Sequence, residues 1–123
     1  MKKAVRTDSA PSPIGPYSQG IDAGSVYCSG QIGIDPETGN IVEGIVAQTA
    51  RALANLEAVL GAAGLGLKDV VKSTVFMTDL SEFPVMNEEY AKHFAVPFPA
   101  RSTVQVAALP RGAKVEIDAV AVR

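Results

Sequence analysis

Arg101 is the residue of this chain that most needs a chemical explanation. It lies in "PFPARSTVQV", residues 97–106, behind two prolines and a phenylalanine and at the start of a strand-like alternation. A guanidinium is permanently charged and presents a rigid fork of donors suited to a carboxylate or a phosphate. Residue type alone favours a solvated charge at a strand edge. The stiff proline approach favours the other reading, because it delivers the fork in a fixed direction, as the anchor of a site requires.

Around it stand other residues with two readings each. Glu116, in the closing "KVEIDAVAVR", is a surface or salt-bridged carboxylate, or part of the chemistry. Tyr17 packs on a sheet or lines a site, and Asn87 caps or packs on its helix or reaches a ligand. Ser29, Gly30 and Gln31 form a bend, or offer a hydroxyl and accessible amides beside a small ligand. Cys28 is expected to be a buried thiol, and His93, the only histidine, an exposed residue on the flank of a helix. One histidine and one cysteine far apart in sequence give no transition-metal cluster and no Cys-His pair. Neither a Walker loop nor a GxGxxG opening a βαβ unit is present, and "SGQIG" lacks the frame of a serine nucleophile elbow. Any catalysis must therefore use water, carboxylates, arginine and backbone groups, and its substrate must be intrinsically reactive.

The whole chain sets bounds on that chemistry. Its 123 residues suit a single domain spanning 1–123, with 47% hydrophobic and 20% charged residues and a formal net charge of -2. Weak acidity without a Lys/Arg run argues against a phosphate-backbone track, so nucleic acid is not the expected partner. A lone cysteine fits a reducing compartment. The start "MKKAVRTDSAPSP" turns polar where a signal peptide needs an apolar core. No run approaches the roughly 18 apolar residues of a membrane span, and the expected setting is the cytoplasm.

The elements that must hold these residues alternate without a linker. "APSPIGPYSQG" reads as a turn-rich lead-in with a short edge strand. Ser25 to Ile34 reads as a strand bent at Gly30 and Gly33, "DPETGN" as a hairpin turn, and Ile41 and Val42 as its return. From about Gly44 to Ala63 the period is helical, with Val46, Ala50, Leu53, Leu56 and Leu60 inward and Gln48, Arg51 and Asn55 outward. A strand follows over Val71 to Met77, with Val71, Val75 and Met77 on one face. A second helix is then capped by Ser81, carries Pro84 in its first turn, and packs Phe83, Met86, Tyr90 and Phe94 as core. Two strands close the chain. Arg101, Thr103, Gln105 and Ala107 share one face of the first, and Val115, Ile117, Ala119 and Ala121 one face of the second. The other face of that last strand mixes Glu116 and Asp118 with Val120 and Val122, the pattern expected if it is covered by another subunit.

Nearly end to end, the chain resembles the Rid family, also called the YjgF family, and within it the RidA branch of reactive-intermediate deaminases. The resemblance is carried in order by "APSPIGPYSQG", "VYCSGQIGIDPETG", "QTARALANLEAVLGAAG", "VVKSTVFMTDLSEFPVMNEEYAKHF", "FPARSTVQVAALP" and "KVEIDAVAVR". It implies an α+β, chorismate-mutase-like fold, a mixed sheet with two helices packed on one face. It also implies a homotrimer with a cleft at each interface, no metal or organic cofactor, and hydrolysis of 2-imino and 2-enamino acids to 2-oxo acids and ammonia. Such substrates are released by pyridoxal-phosphate dehydratases. By the same resemblance Arg101 clamps the substrate carboxylate and Glu116 lies near the reacting water. Tyr17 and Ser29 line the cleft, and Gly30 and Asn87 help shape it. Thr103 stands where the family often has cysteine, so a thiol is not expected at the site. Two other classes fit the same sequence: a non-catalytic or regulatory binder of small carboxylates, and a translation-inhibiting ribonuclease or chaperone-like protein.

Overall fold

The computed structural model describes residues 1–123 as one six-stranded sheet with two helices on one face. Strands β1 (Lys3–Val5), β2 (Gly20–Ala23) and β3 (Ser25–Ile32) run antiparallel to one another. The last strand, β6 (Val115–Ala121), pairs antiparallel with β3 on one side and with β4 (Val70–Met77) on the other. Parallel pairing of β4 with β5 (Ala100–Gln105) completes the order β1-β2-β3-β6-β4-β5. The parallel step needs a crossover, and α2 (Phe83–Ala91) supplies it. Helix α1 (Ile45–Ala62) bridges β3 and β4 and packs on β3, β6 and α2.

Strand alternation builds the core. Val115, Ile117, Ala119 and Ala121 of β6, with Val26, Val75 and Met77, face Leu53, Leu56, Val59 and Leu60 of α1 and Met86 of α2. Each fully buried large side chain of this set contributes about 1.5–3 kcal/mol by its removal from water. The opposite face is covered by neither helix and leaves Tyr27 and Val104 at 52% and 41% exposure.

Several local expectations are corrected. The lead-in forms no strand over residues 10–19, because Pro11, Pro13 and Pro16 lack ladder donors; the edge strand is β1, upstream of it. Helix α1 is rotated from the expected face: Gln48 and Asn55 are buried, and Val46 is 47% exposed. Val71 is exposed at an irregularity in the β4–β6 pairing, and buried Ser73 takes the inward place expected of it. The return after "DPETGN" is a single bridge, Ile34 to Ile41. Ser81 does not cap α2. Asp79 instead accepts from the Ser81 amide at 2.9 Å and opens a short 3-10 turn, Leu80–Glu82, that leads into Phe83.

Candidate active site

The sequence-derived residues fall into two clusters on different faces of the sheet. Register decides this: Ser73 of β4 lies opposite both Arg101 and Ala119, which point toward the helices. Phe76 of β4 lies opposite both Val104 and Glu116, which point the other way.

On the helix side, α2 prepares a seat for Arg101. Residues 83, 87 and 90 are spaced three and four apart, so Phe83, Asn87 and Tyr90 share one face of the helix. Arg101 Nη2 donates to Asn87 Oδ1 at 2.8 Å, and the guanidinium carbon lies 4.7 Å from the Tyr90 ring centroid and 5.6 Å from that of Phe83. The Tyr90 hydroxyl and Ser73 Oγ are 2.7 Å apart and buried, which fixes the ring under the charge. Burial pushes the Tyr90 hydroxyl upward in pKa, opposed by the Ser73 bond and the Arg101 charge. A small recess of about 370 Å³ opens here beside Ala91, Phe98 and Pro99. The aromatic stripe read as core is thus core on one side and a cation seat on the other. The spacing of Asn87 from Phe83 and Tyr90 was the available signal.

The other cluster surrounds Glu116. A cavity of about 680 Å³ is lined by Tyr17, Gln19, Gly30, Gln31, Arg111 and Glu116, among others. Gly30 lies directly beneath the carboxyl, where a Cβ would overlap Glu116 Oε2. Burial pushes the Glu116 carboxyl above its ordinary range, and the like charge of Asp118 adds to this. The Tyr17 hydroxyl accepts from the Ile14 amide at 3.2 Å, folding the lead-in over the cavity. Ser29 ties the lead-in to β3: its hydroxyl donates to Ser18 O at 2.5 Å and its amide to Gln19 O at 2.9 Å. Buried Gln19 accepts from the Thr7 amide and donates to the Thr7 and Pro11 carbonyls, holding the start of the same loop.

Thr103 is half-buried on the Arg101 side, paired with Val75, and lines neither cavity. Cys28 is buried, and burial pushes its thiol up to about 12. His93 Nε2 pairs with Glu89 Oε2 at 2.8 Å beyond the end of α2. Sequence reasoning missed Gln19, Ser73 and Arg111. Arg111 is the one non-glycine residue with positive φ, 60°, and its placement at the cavity edge depends on the turn before β6.

A single chain therefore carries an anion-seeking guanidinium in a rigid seat and, elsewhere, a carboxyl with a raised pKa beside a cavity. The first can hold a carboxylate, and the second, its carboxyl pushed above the ordinary range by burial, can accept and return a proton. No helix is long and apolar enough to cross a membrane.

Known proteins resemble this chain over nearly its whole length. The family model described as Endoribonuclease L-PSP matches residues 7–123. Protein DfrA of Myxococcus xanthus is 54% identical over 125 residues, covering 98% of this chain and 95% of that protein. The 2-iminobutanoate/2-iminopropanoate deaminase of Salmonella typhimurium is 49% identical over 127 residues, covering 100% of this chain and 99% of the relative. Among solved structures, Escherichia coli TdcF with bound serine superposes with a TM-score of 0.93 at 46% identity, covering 98% of both chains.

Proposed function

The chain belongs to the Endoribonuclease L-PSP family, the Rid or YjgF proteins, and to its RidA-type deaminases, and from that premise we propose that it hydrolyses 2-imino acids to 2-oxo acids and ammonia. The observation that carries the reading is the pair of half-sites: a seated Arg101 for the substrate carboxylate, and Glu116 with a raised pKa beside a cavity. Arg101 takes the carboxylate in a two-point grip, which holds C2 in place. Water then adds to C2 of the protonated imine, its oxygen forming the new C–O bond while Glu116 takes the proton. Glu116 returns the proton to nitrogen, whose lone pair came from the opened C=N bond; then the C–N bond breaks and ammonia leaves while Glu116 takes the proton of the C2 hydroxyl, whose oxygen becomes the carbonyl. Imines hydrolyse in water unaided, so ordering the reactants is the main contribution required of the protein. Tyr17, Gly30 and Asn87 shape the site, Ser29 holds its lead-in, and Thr103 offers a hydroxyl near the Arg101 end.

The two half-sites cannot meet within one chain, because they project from opposite faces of the sheet. A second copy must bring them together, and the uncovered face with Tyr27, Val104 and Val120 is the surface through which copies associate, as a homotrimer with a cleft at each interface. The protein acts in the cytoplasm beside the pyridoxal-phosphate dehydratases that release its substrates.

The test is a coupled assay in which a dehydratase releases 2-aminoacrylate or 2-aminocrotonate and imine decay is followed with and without this protein. Faster decay is expected, abolished by Arg101→Ala. Saturable binding of a 2-oxo acid without imine turnover would replace the enzyme by a carboxylate-binding module.

A further inference from the structure

Two amide side chains on the buried stripe of α1 have no part in the chemistry above. Gln48 and Asn55 are seven residues apart, two helical turns, and so share a face. They are 5% and 0% exposed, on a buried stripe whose other members are apolar except Thr49. Asparagine is a poor helix former, and a buried amide is costly unless fully bonded. Both are bonded, and in each case to the chain beside Glu116.

Asn55 Nδ2 donates to Ile32 O at 3.2 Å and to Ile34 O at 2.9 Å. Its Oδ1 accepts from Arg51 Nε at 3.1 Å, which settles the orientation of the amide and directs both donors at the carbonyls. Ile32 and Ile34 line the Glu116 cavity, and Ile32 is the register partner of Glu116. Gln48 Oε1 accepts from the Lys114 amide at 2.8 Å, immediately before β6 and two residues from Glu116. Between the two amides the backbone of Gly33 lies so close to Gln48 that a Cβ there would stand 2.7 Å from Gln48 Cα. Helix α1 thus grips the end of β3 and the start of β6, the two segments whose separation sets where the Glu116 carboxyl sits over Gly30.

We propose that Gln48 and Asn55 are positioning residues for Glu116, holding the β3 and β6 segments of the cavity wall so that the carboxyl meets the reacting water. This rests on the deaminase reading, yet part of its test does not. The charged or titratable groups sharing the cavity or the strand with Glu116 are Tyr17, Arg111 and Asp118, and none of them is altered.

The experiment compares Asn55→Leu and Gln48→Leu with Val59→Ala, a core truncation on the same helix that lines neither cavity. Imine kinetics, thermal midpoint and the 13C-detected titration of Glu116 are measured for each. The amide variants are expected to lose about tenfold in kcat, as misplacement of a reacting group does. KM should stay within about twofold, because the Arg101 seat is untouched. The Glu116 titration midpoint should fall toward its ordinary value as water enters the loosened wall. Val59→Ala should lower the thermal midpoint and change neither kcat nor the titration. The proposal is overturned if the folded amide variants keep wild-type kcat and titration, or if Val59→Ala reproduces their losses. Should Asn55→Leu fail to fold, Gln48→Leu and the milder Arg51→Met, which removes only the donor orienting Asn55, decide by the same readouts. If the wild type turns over no imine, the deaminase reading fails while the Glu116 titration still decides the positioning role.

Discussion

Arg101 and Glu116 lie three residues apart along the register of β4 and project from opposite faces of the sheet, Arg101 level with Ser73 and Glu116 level with Phe76. On the proposed reading, each site draws its arginine from one subunit and its glutamate from another. Arg101→Ala and Glu116→Gln are each expected to be inactive alone, with a loss of at least about 100-fold in kcat/KM. Unfolded together and refolded as an equal mixture, they should recover roughly a quarter of wild-type activity, because each interface draws its two halves at random. No recovery in mixed oligomers shown to form would place both groups in one subunit's site.

The Tyr90 ring separates the packing role of the seat from its hydrogen bond. Tyr90→Phe keeps the face under Arg101 but leaves buried Ser73 Oγ without a partner. It should cost about 1 kcal/mol of stability and leave KM within about twofold of wild type. Tyr90→Leu removes the face, and KM for the imine should rise about fivefold, the equivalent of one cation–π contact. Equal KM values for the two variants would mean that the ring does not hold the guanidinium.

Some of this was legible from local pattern and some was not. Period and breakers located α1, β4, α2 and the last two strands, because those signals are local. The rotation of α1 was not legible. Gln48 and Asn55 look solvent-facing until the backbone groups of Ile32, Ile34 and Lys114 that they bond are known, and those partners come from elsewhere in the chain. Strand β1 has three residues and exists through its pairing with β2. Arg101 drew attention through its stiff proline approach, and Glu116 through the resemblance of its motif to the Rid family. Their separation by the sheet was not legible, since it depends on how β4 registers with both β5 and β6.

Glu116 should make stability depend on pH. Burial and Asp118 raise its pKa in the folded protein above the ordinary 4.5. A raised carboxyl binds its proton more tightly when folded, so its contribution to stability is complete below the unfolded value and is lost as pH rises through the folded one. Glu116→Gln has no such loss. Its thermal midpoint is expected to exceed that of wild type at pH 7–8, with the advantage disappearing below about pH 4.5. A midpoint difference constant across that range would show that Glu116 ionises without penalty.

Cys28 should be chemically silent in the native protein. Burial takes its thiol from an ordinary 9.0 to about 12, leaving roughly a thousandfold less thiolate at pH 8. Iodoacetamide at pH 8 should therefore label it only after unfolding in guanidinium. Rapid native labelling would require β3 to open locally. Thr103→Cys tests the other thiol position, and the mechanism expects its deaminase activity to match wild type within about twofold, because no step uses a thiol.

Gly30 offers the most direct test of where the Glu116 carboxyl must sit. A Cβ at position 30 meets the far end of the Glu116 side chain, which can swing aside, so Gly30→Ala should fold with a thermal midpoint near that of wild type. The displaced carboxyl should no longer reach the water, and kcat should fall about 10- to 100-fold. Gly61→Ala is the matched control: it lies in α1 with open space around its Cβ position. It should stabilise the protein by about 0.5–1 kcal/mol through helix entropy and leave kcat unchanged. If Gly30→Ala turned over imines at the wild-type rate, the position of the carboxyl above Gly30 would be irrelevant to the reaction, and Glu116 would lose its assigned role.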